Sequence, residues 1–443
     1  MLDRRRRGLL AVLGVTFGLA VTIGNTIGAG ILRTPGAIAE HLPSFWLFFS
    51  VWVIGGIYAL LGSNALSELG TMTPRSGGQY VFVRRALGDY AGFIVGWSDW
   101  ISTCGATAAM AIVVGEYTIV LFPRLRIIEV VALVTLALFT LVQWFGVRAG
   151  AVAQDLTTLL KLIAFVILIG ACFYIGTRNP AASAFDTVRE GSLLLAFVLS
   201  LQAVIYTYDG WSAVVYFSEE VKKPGRDIPR SMIGGALSVT AIYLLINVGF
   251  MRVVPLGTIA GSKLAAGTVA RYIFGPHGDT VLRGLMVVAL LSAVNSSVLM
   301  APRVIFAMSH DGLFWRGARE VNRGGTPDVA LLFSSALAAI FIVTGTFYDV
   351  IAKLAFFFVA NYTLSFISLF VLRRREPTAE RPYRAWGHPI TTAVALAASL
   401  AFLGGAVTED LHNSLWALAL LALSVPVFLF VRARASGSDA AVH

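Results

Sequence analysis

Charge is scarce in this chain: Asp, Glu, Lys and Arg make up 13% of its 443 residues against 57% hydrophobic, for a mean hydropathy of +0.79. A water-soluble domain carries about a quarter of its residues as charges, so water is excluded as the solvent for most of the chain. Cysteine is scarcer still. Cys104 and Cys172 both lie inside apolar runs, and a disulfide framework is excluded on number alone. The six histidines (41, 277, 310, 388, 412 and 443) fall at the ends of runs, in loops or in the tail. A membrane-embedded enzyme needs clustered metal ligands or a nucleophile with its base, so no metal, no cofactor and no catalytic residue is expected. No ring-forming filter motif points to a channel. No Ser/Pro-rich linker or soluble insert divides the chain, which reads as a single membrane domain.

What is abundant is uncharged length. A membrane helix needs about 20 apolar residues to cross the hydrocarbon layer. Nine runs of about that length carry no charge: 8–32, 41–67, 130–147, 231–251, 284–302, 329–348, 354–372, 389–408 and 413–431. Three more, 89–121, 155–176 and 192–221, carry two or three charges each. Together they predict twelve transmembrane helices in an all-α integral membrane protein with both termini on one side. Basic residues mark that side, because cytoplasmic loops are enriched in Lys and Arg. Alternate connections hold 22 basic residues on one side, including Arg4–Arg7, Lys222, Lys223 and Arg373–Arg375, and 8 on the other, including Arg124, Arg126, Arg178, Arg189 and Lys263. Both termini are expected in the cytoplasm of a multi-pass cell-membrane protein. The net charge of +10 is dispersed over these short loops, so it reflects orientation in the lipid bilayer and predicts no nucleic-acid partner. Arg4–Arg7 before an apolar run resembles a secretory signal, but the run is too long for a signal h-region and lacks a cleavage site.

Two spans contain a local fault. Span 1 reads Ile23-Gly24-Asn25-Thr26-Ile27-Gly28-Ala29-Gly30-Ile31, and span 6 reads Tyr206-Thr207-Tyr208-Asp209-Gly210-Trp211. Glycine costs about 1 kcal/mol against alanine inside a helix, and an Asp at the bilayer centre costs about 2.5–3.5 kcal/mol on insertion scales. Non-helical backbone survives at that depth where it lines a protein cavity. Spans 1 and 6 lie five apart, an odd offset that inverts the second block relative to the first. Paired interruptions in two inverted halves point to a transporter's binding site. For the glycines alone, a small-residue packing face is the competing reading. For Asp209, it is a buried structural charge.

At these residues the sequence resembles the amino acid–polyamine–organocation superfamily, and within it the L-type amino acid transporters and their bacterial relatives. Ile27-Gly28-Ala29-Gly30-Ile31-Leu32 is similar to the family's span 1 signature. Tyr208-Asp209-Gly210-Trp211 with the tail from Glu219 to Arg230 is similar to span 6 and the loop after it, and Pro74-Arg75-Ser76-Gly77-Gly78-Gln79-Tyr80 to the family's P-x-S/T-G-G-x-Y loop. The resemblance implies a LeuT-like 5+5 inverted repeat with broken helices 1 and 6. Residues 8–176 would form the first repeat (spans 1–5), 190–373 the second (spans 6–10), and 388–433 two peripheral spans. It implies secondary transport of an amino acid by alternating access, as sodium-independent exchange or with proton coupling. A sodium-coupled carrier of another small solute on the same fold is the alternative. The substrate carboxylate would meet backbone N–H groups of the unwound part of span 1, and its ammonium the carbonyls of the unwound part of span 6. The physics agrees: a half-helix start offers free donors and a positive dipole end, and a half-helix end offers unpaired carbonyls.

The substrate-binding residues expected on this basis are Thr26, Ile27, Gly28, Ala29, Gly30, Ile31, Tyr206, Thr207, Asp209, Gly210 and Asn295. Gly, Ala and Ile at the breaks suggest a small or neutral amino acid. Ala29 replaces a serine seen in many relatives. Asp209 replaces a glycine found in some, either as an ammonium contact or as a latch to a half-helix. Asn295 polarises the cavity wall or bonds a neighbouring helix. Lys161 is a lone lysine in span 5, functional by default at that depth unless it snorkels to the interface. The resemblance casts it as an ammonium surrogate for the sodium ion of sodium-coupled relatives, bracing span 1. Ser296 and Ser297 in span 8 are the hydroxyls that sodium would use instead. Tyr206 matches an aromatic lid over the substrate, and is equally a packing residue. Glu219 and Glu220, beside Lys222 and Arg226, form an inner gate or a solvated loop. Arg33 steers carboxylates or closes an outer gate. Human L-type members attach a glycoprotein through a cysteine in the loop after span 3. The corresponding loop here, 122–128, has none, so no covalent accessory subunit is expected.

Overall fold

The first span breaks at its glycines. In the computed structural model, α1 (Val15–Thr26) ends where Ile27 turns to an extended ψ of 93°, and α2 (Gly30–His41) begins three residues on, inclined to α1 by 42°. The structure describes residues 8–42, 44–176, 192–262, 264–345, 347–409, 415, 419 and 421–432. The expected basic residues Arg4–Arg7, Arg178, Arg189, Lys263 and Arg434, and part of span 12, lie outside them.

The remaining helices coincide with the apolar runs, except α4, α10 and α11, which lie between them. They are α3 (Phe45–Met72), α4 (Gln79–Leu87), α5 (Asp89–Leu121), α6 (Ile128–Trp144), α7 (Val147–Gly176), α8 (Leu193–Thr207), α9 (Pro224–Val253), α10 (Leu256–Ile259), α11 (Ala265–Phe274), α12 (Gly278–His310), α13 (Asp328–Thr344), α14 (Phe347–Arg375) and α15 (Ile390–Glu409), with a last helix α16 (Leu421–Arg432). Among the described residues, six stretches are long and apolar enough to cross a membrane, and the bent α1–α2 pair makes a seventh. Five apolar helices are shorter: α6, α8, α13, α16 and the 390–405 part of α15. Among the described residues there is no strand, only an isolated parallel bridge between Leu13 and Val221.

The fault in span 6 ends its helix differently from the fault in span 1. α8 stops at Thr207, turns come next, and 3₁₀ geometry covers Ala213–Phe217. The span expected over 192–221 is thus an α-helix for its first half only. Gly210, with φ of 112°, falls within those turns. The run Val214-Val215-Tyr216-Phe217 consists of β-branched and aromatic residues that lose χ1 freedom in a helix. The stretch expected as a polar loop from Glu219 to Arg230 is half helix, because Pro224 and its neighbours open α9, where a missing N–H costs nothing.

The core sits where α12 and α5 lie along one another, flanked by α14, with α3 and α1 packed on α9 and α7 closing on α1 and α12. α6 and α7 carry the outward apolar side chains, among them Val134, Leu138, Leu159 and Val166, as a lipid-facing surface requires.

Candidate functional site

Breaking a helix at residues 27–29 orphans backbone groups on both sides of the break. In a continuous helix the carbonyls of Gly24, Thr26 and Ile27 would accept from Gly28, Gly30 and Ile31. Two side chains take those carbonyls instead. Lys161 of α7 donates from Nζ to Gly24 O at 2.6 Å and to Ile27 O at 2.5 Å. Tyr243 of α9 places its hydroxyl 2.9 Å from Thr26 O and 3.0 Å from Thr207 O, the last carbonyls of α1 and α8. Its single proton is shared between the two broken helices. Lys161 is fully buried, so it does not snorkel. With their former acceptors satisfied elsewhere, the N–H groups at the start of α2 are left to the space they face.

That space is a cavity of about 630 Å³. From span 1 it is lined by Asn25, Thr26, Gly28, Ala29 and Gly30, and by Arg33, Thr34 and Ala37, which repeat at helical spacing along one face of α2. Span 6 contributes Tyr206, Thr207, Asp209, Gly210, Ser212 and Tyr216. The opposite wall is Thr103, Ala106 and Met110 of α5, Leu290, Ser297 and Met300 of α12, and Phe358 and Tyr362 of α14. Among the described residues, the charged side chains in the lining are Arg33 and Asp209. The Tyr362 hydroxyl donates to Asp209 Oδ1 at 2.7 Å, and its ring stacks on Trp211 with centroids 4.6 Å apart. Arg33 donates to the Tyr117 hydroxyl at 2.6 Å and lies over that ring.

The two breaks touch each other. Gly30 meets Thr207 so closely that a Cβ would sit 3.0 Å from its methyl, and Thr34 and Thr207 hydroxyls lie 3.0 Å apart. At Gly210 a Cβ would lie 2.8 Å from Thr26 N and 2.9 Å from Asn25 C. Span 6 can pass this near span 1 because residue 210 has no side chain and accepts positive φ.

The cavity reaches solvent at one end and is sealed at the other. Ala37, on the α2 side, is exposed, and Ser262 beside it is half-buried. Gln79, Ser212 and Tyr216, at the other end, are each no more than 3% exposed. Beyond that sealed end lies a buried ion pair. Arg303 of α12 meets Glu220 with Nε–Oε1 at 2.5 Å and Nη2–Oε2 at 2.8 Å, donates to Leu299 O, and lies over the Phe217 ring at 4.5 Å. Next to it, Leu13 N donates to Glu220 O and Lys222 N to Leu13 O, both at 2.9 Å, tying the chain ahead of α1 to the end of span 6.

Of the expected site residues, Thr26, Gly28, Ala29, Gly30, Tyr206, Thr207, Asp209 and Gly210 come together in this lining. Ile27 and Ile31 do not; both are fully buried, and Ile27 takes part through its carbonyl. Asn295 is also outside it. Its amide donates to Gln154 Oε1 at 2.9 Å and its oxygen accepts from Gln143 at 2.6 Å, so of its two expected placements it takes the bond to neighbouring helices. Glu219 is exposed while Glu220 is fully buried, and Glu220 pairs with Arg303 rather than with Lys222 or Arg226, whose guanidinium takes Asp227. Tyr243, Tyr362 and Tyr216 were not singled out from the sequence, since a tyrosine in an apolar run carries no cue of its own. Arg303 had one: it is a charge directly after the uncharged run 284–302. Among the described residues no three His, Cys, Asp or Glu side chains group as metal ligands.

A family model described as amino acid permease matches residues 8–425. The chain belongs to the amino acid permease family. That family lies within the amino acid–polyamine–organocation superfamily and consists of multi-pass membrane transporters, not enzymes. Among its relatives is the serine/threonine exchanger SteT of Bacillus subtilis, 28% identical over 96% of this chain and 98% of that protein. The human b(0,+)-type amino acid transporter 1 is 26% identical over 84% of this chain and 78% of its own length. The mouse large neutral amino acids transporter small subunit 2 is 26% identical over 84% of this chain and 72% of its own. In this permease the cavity is walled by residues of both interrupted spans.

Proposed function

We propose that this permease carries a neutral, zwitterionic amino acid by alternating access, with the substrate held between the two broken spans. The observation that carries this reading is the pairing of opposite polarities across one cavity. The α2 N-terminus presents free N–H groups and the positive end of a helix dipole, suited to a carboxylate. Across it stand the end of α8 and the Asp209 carboxylate, suited to an ammonium. Tyr206 would cover the bound molecule. The wall of Ala106, Met110, Leu290, Met300 and Phe358 is apolar and leaves an uncharged substrate side chain in suitable company. A serine/threonine exchanger and a large neutral amino acids transporter among the relatives favour the same class of cargo.

In this reading the long helices, the bent pair and the five shorter apolar helices make up twelve spans. Spans 1–5 (8–176) and 6–10 (190–373) are inverted repeats, and 388–433 adds two peripheral spans. The 22-to-8 distribution of basic residues puts both termini in the cytoplasm. The exposed Ala37 end of the cavity then faces outward, the sealed Glu220 end inward, and the conformation is outward-open. Glu220 with Arg303 serves as the inner gate. Lys161 stands in for a coupling sodium ion by occupying the carbonyls that such an ion would need. Transport is accordingly sodium-independent and the chain works without a covalent accessory subunit. Ser297 Oγ, 3.4 Å from Asn25 Oδ1, is the feature that favours the sodium-coupled alternative.

Purified protein in liposomes, loaded with unlabelled amino acids and offered a labelled panel outside, tests the proposal. Counterflow of one or more neutral amino acids without sodium is expected. No accumulation of any amino acid would reject it, and strict dependence on a sodium gradient would favour the alternative.

A further inference from the structure

The transport reading leaves one carboxylate without a task. Asp99 sits within α5 and is 1% exposed. Both of its oxygens accept from one hydroxyl, that of Tyr216, at 2.7 and 2.9 Å. Tyr216 belongs to the 3₁₀ turn of span 6, lines the sealed end of the cavity, and accepts at its backbone carbonyl from Gly77 N at 3.3 Å. Its ring fills the space that Gly78 leaves by having no side chain. One hydroxyl thus ties the inner half of span 6 to α5, four residues ahead of Glu220.

Among the described residues, the surroundings supply no counter-charge. The ionisable groups facing Asp99 are Tyr216 itself, Asp209 from the loop after α8, and Cys104 on its own helix. Tyr362 of α14 faces Tyr216 and donates to Asp209. Other elements packed on α5 bring charges engaged elsewhere. Arg303 of α12 is taken by Glu220, while Tyr80 and Arg84 of α4 bind Asp311, and His310 of α12 lies against Phe306. Glu129 and Asp328 stand in the first turns of α6 and α13. Both oxygens of Asp99 thus rest on a single neutral hydroxyl, and among the described residues no cation stands beside them.

We propose that Asp99, reached from the cavity floor through Tyr216, is a proton-binding site whose occupancy loosens the sealed end. This rests on the transport reading above. In the step, the Tyr216 hydroxyl passes its proton to an Asp99 oxygen and takes one from a hydronium ion in the cavity, which is left as water. The carboxylate becomes a carboxylic acid, Tyr216 ends neutral as it began, and one proton has left the cavity. The Tyr216–Asp99 bond changes from charge-assisted to neutral, which about halves its strength. The 3₁₀ turn is then freer to move with Glu220, and the proton is carried toward the inner side.

The test uses the full chain in liposomes, with the amino acid accepted in counterflow. Uptake is measured with acid outside, with equal pH, and with acid inside, while a trapped pH dye records proton entry. Wild-type uptake should accelerate with acid outside, and substrate addition should drive protons in. Asp99→Asn should keep counterflow at equal pH and lose both the acceleration and the proton signal. Asp99→Glu should retain the acceleration with a shifted pH midpoint. The proposal is overturned by wild type that shows no pH response and no proton entry, by Asp99→Asn that responds as wild type does, or by Asp99→Glu with an unmoved midpoint. Acceleration by a sodium gradient in place of a proton gradient overturns it too. Loss of counterflow in wild type would instead remove the transport reading itself.

Discussion

Lys161 and Tyr243 serve different carbonyls freed at the breaks, Gly24 O and Ile27 O for the lysine, Thr26 O and Thr207 O for the tyrosine, so their removal separates support of the break from binding of the cargo. Lys161→Ala withdraws the donor to Gly24 O and Ile27 O, and a buried acceptor left without a partner costs about 1–3 kcal/mol. The variant is expected to insert and purify, yet to lose uptake by about tenfold or more, the equivalent of about 1.4 kcal/mol at the break. Uptake at the wild-type rate would remove Lys161 from the mechanism. Tyr243→Phe keeps the ring and deletes only the hydroxyl between Thr26 O and Thr207 O. The loss of one such bond is worth about 1 kcal/mol, so a severalfold slower exchange is expected with little change in expression, read by counterflow. The lysine was legible in the sequence because a lone cation in an apolar run must have a purpose. The carbonyls it serves lie 137 and 134 residues away, a distance no local pattern reports. Asn295 shows the converse: its type suits a cavity wall or a bond to a neighbouring helix, and the register of α12, which turns it toward Gln143 and Gln154, selects the second.

At the scale of elements, the two interruptions were visible as glycine and aspartate where apolar helix formers belong, because both residue types are costly inside a membrane helix. The course of the chain beyond each interruption was less visible. Span 1 resumes as α2, whereas span 6 passes into a 3₁₀ turn and a bridge to Leu13. That difference depends on packing. The segment after Gly210 is buried against α1 and α12, where contacts other than its own helix satisfy it. Gly210→Ala tests the contact between breaks. Its positive φ and the nearness of Thr26 N both resist a methyl group, and a strained non-glycine residue costs about 1–3 kcal/mol. A melting temperature lowered by several degrees is expected, together with loss of uptake, measured by thermal unfolding in detergent and by counterflow. An unchanged melting temperature would show that the two breaks are not held in contact.

At the scale of the molecule, the cavity is open at one end and sealed at the other, and the inner gate proposed beyond the seal is a buried ion pair. Glu220 and Arg303 are no more than 2% exposed, and removing one partner of such a pair typically costs about 3–5 kcal/mol because the other charge is stranded. Arg303→Ala is therefore expected to destabilise the protein strongly. The double variant Arg303→Met with Glu220→Gln should recover much of that stability while leaving the sealed end easier to open. Labelling of a cysteine introduced at Ser212 by a membrane-impermeant reagent applied from the inner side checks this. Faster labelling in the double variant is expected, and equal labelling would show that the pair is structural only.

Class, approximate spans and the positions of both faults derive from hydropathy and from the cost of glycine and charge in lipid, quantities that belong to each residue and its near neighbours. The fold as an all-helical membrane protein was accessible on those terms, and the family through its motif residues. The pairing of Lys161 and Tyr243 with the freed carbonyls, of Glu220 with Arg303, and of Tyr216 with Asp99 was not. Each joins helices far apart in the chain, and in an apolar surrounding the partner is chosen by which polar groups the packing leaves facing one another.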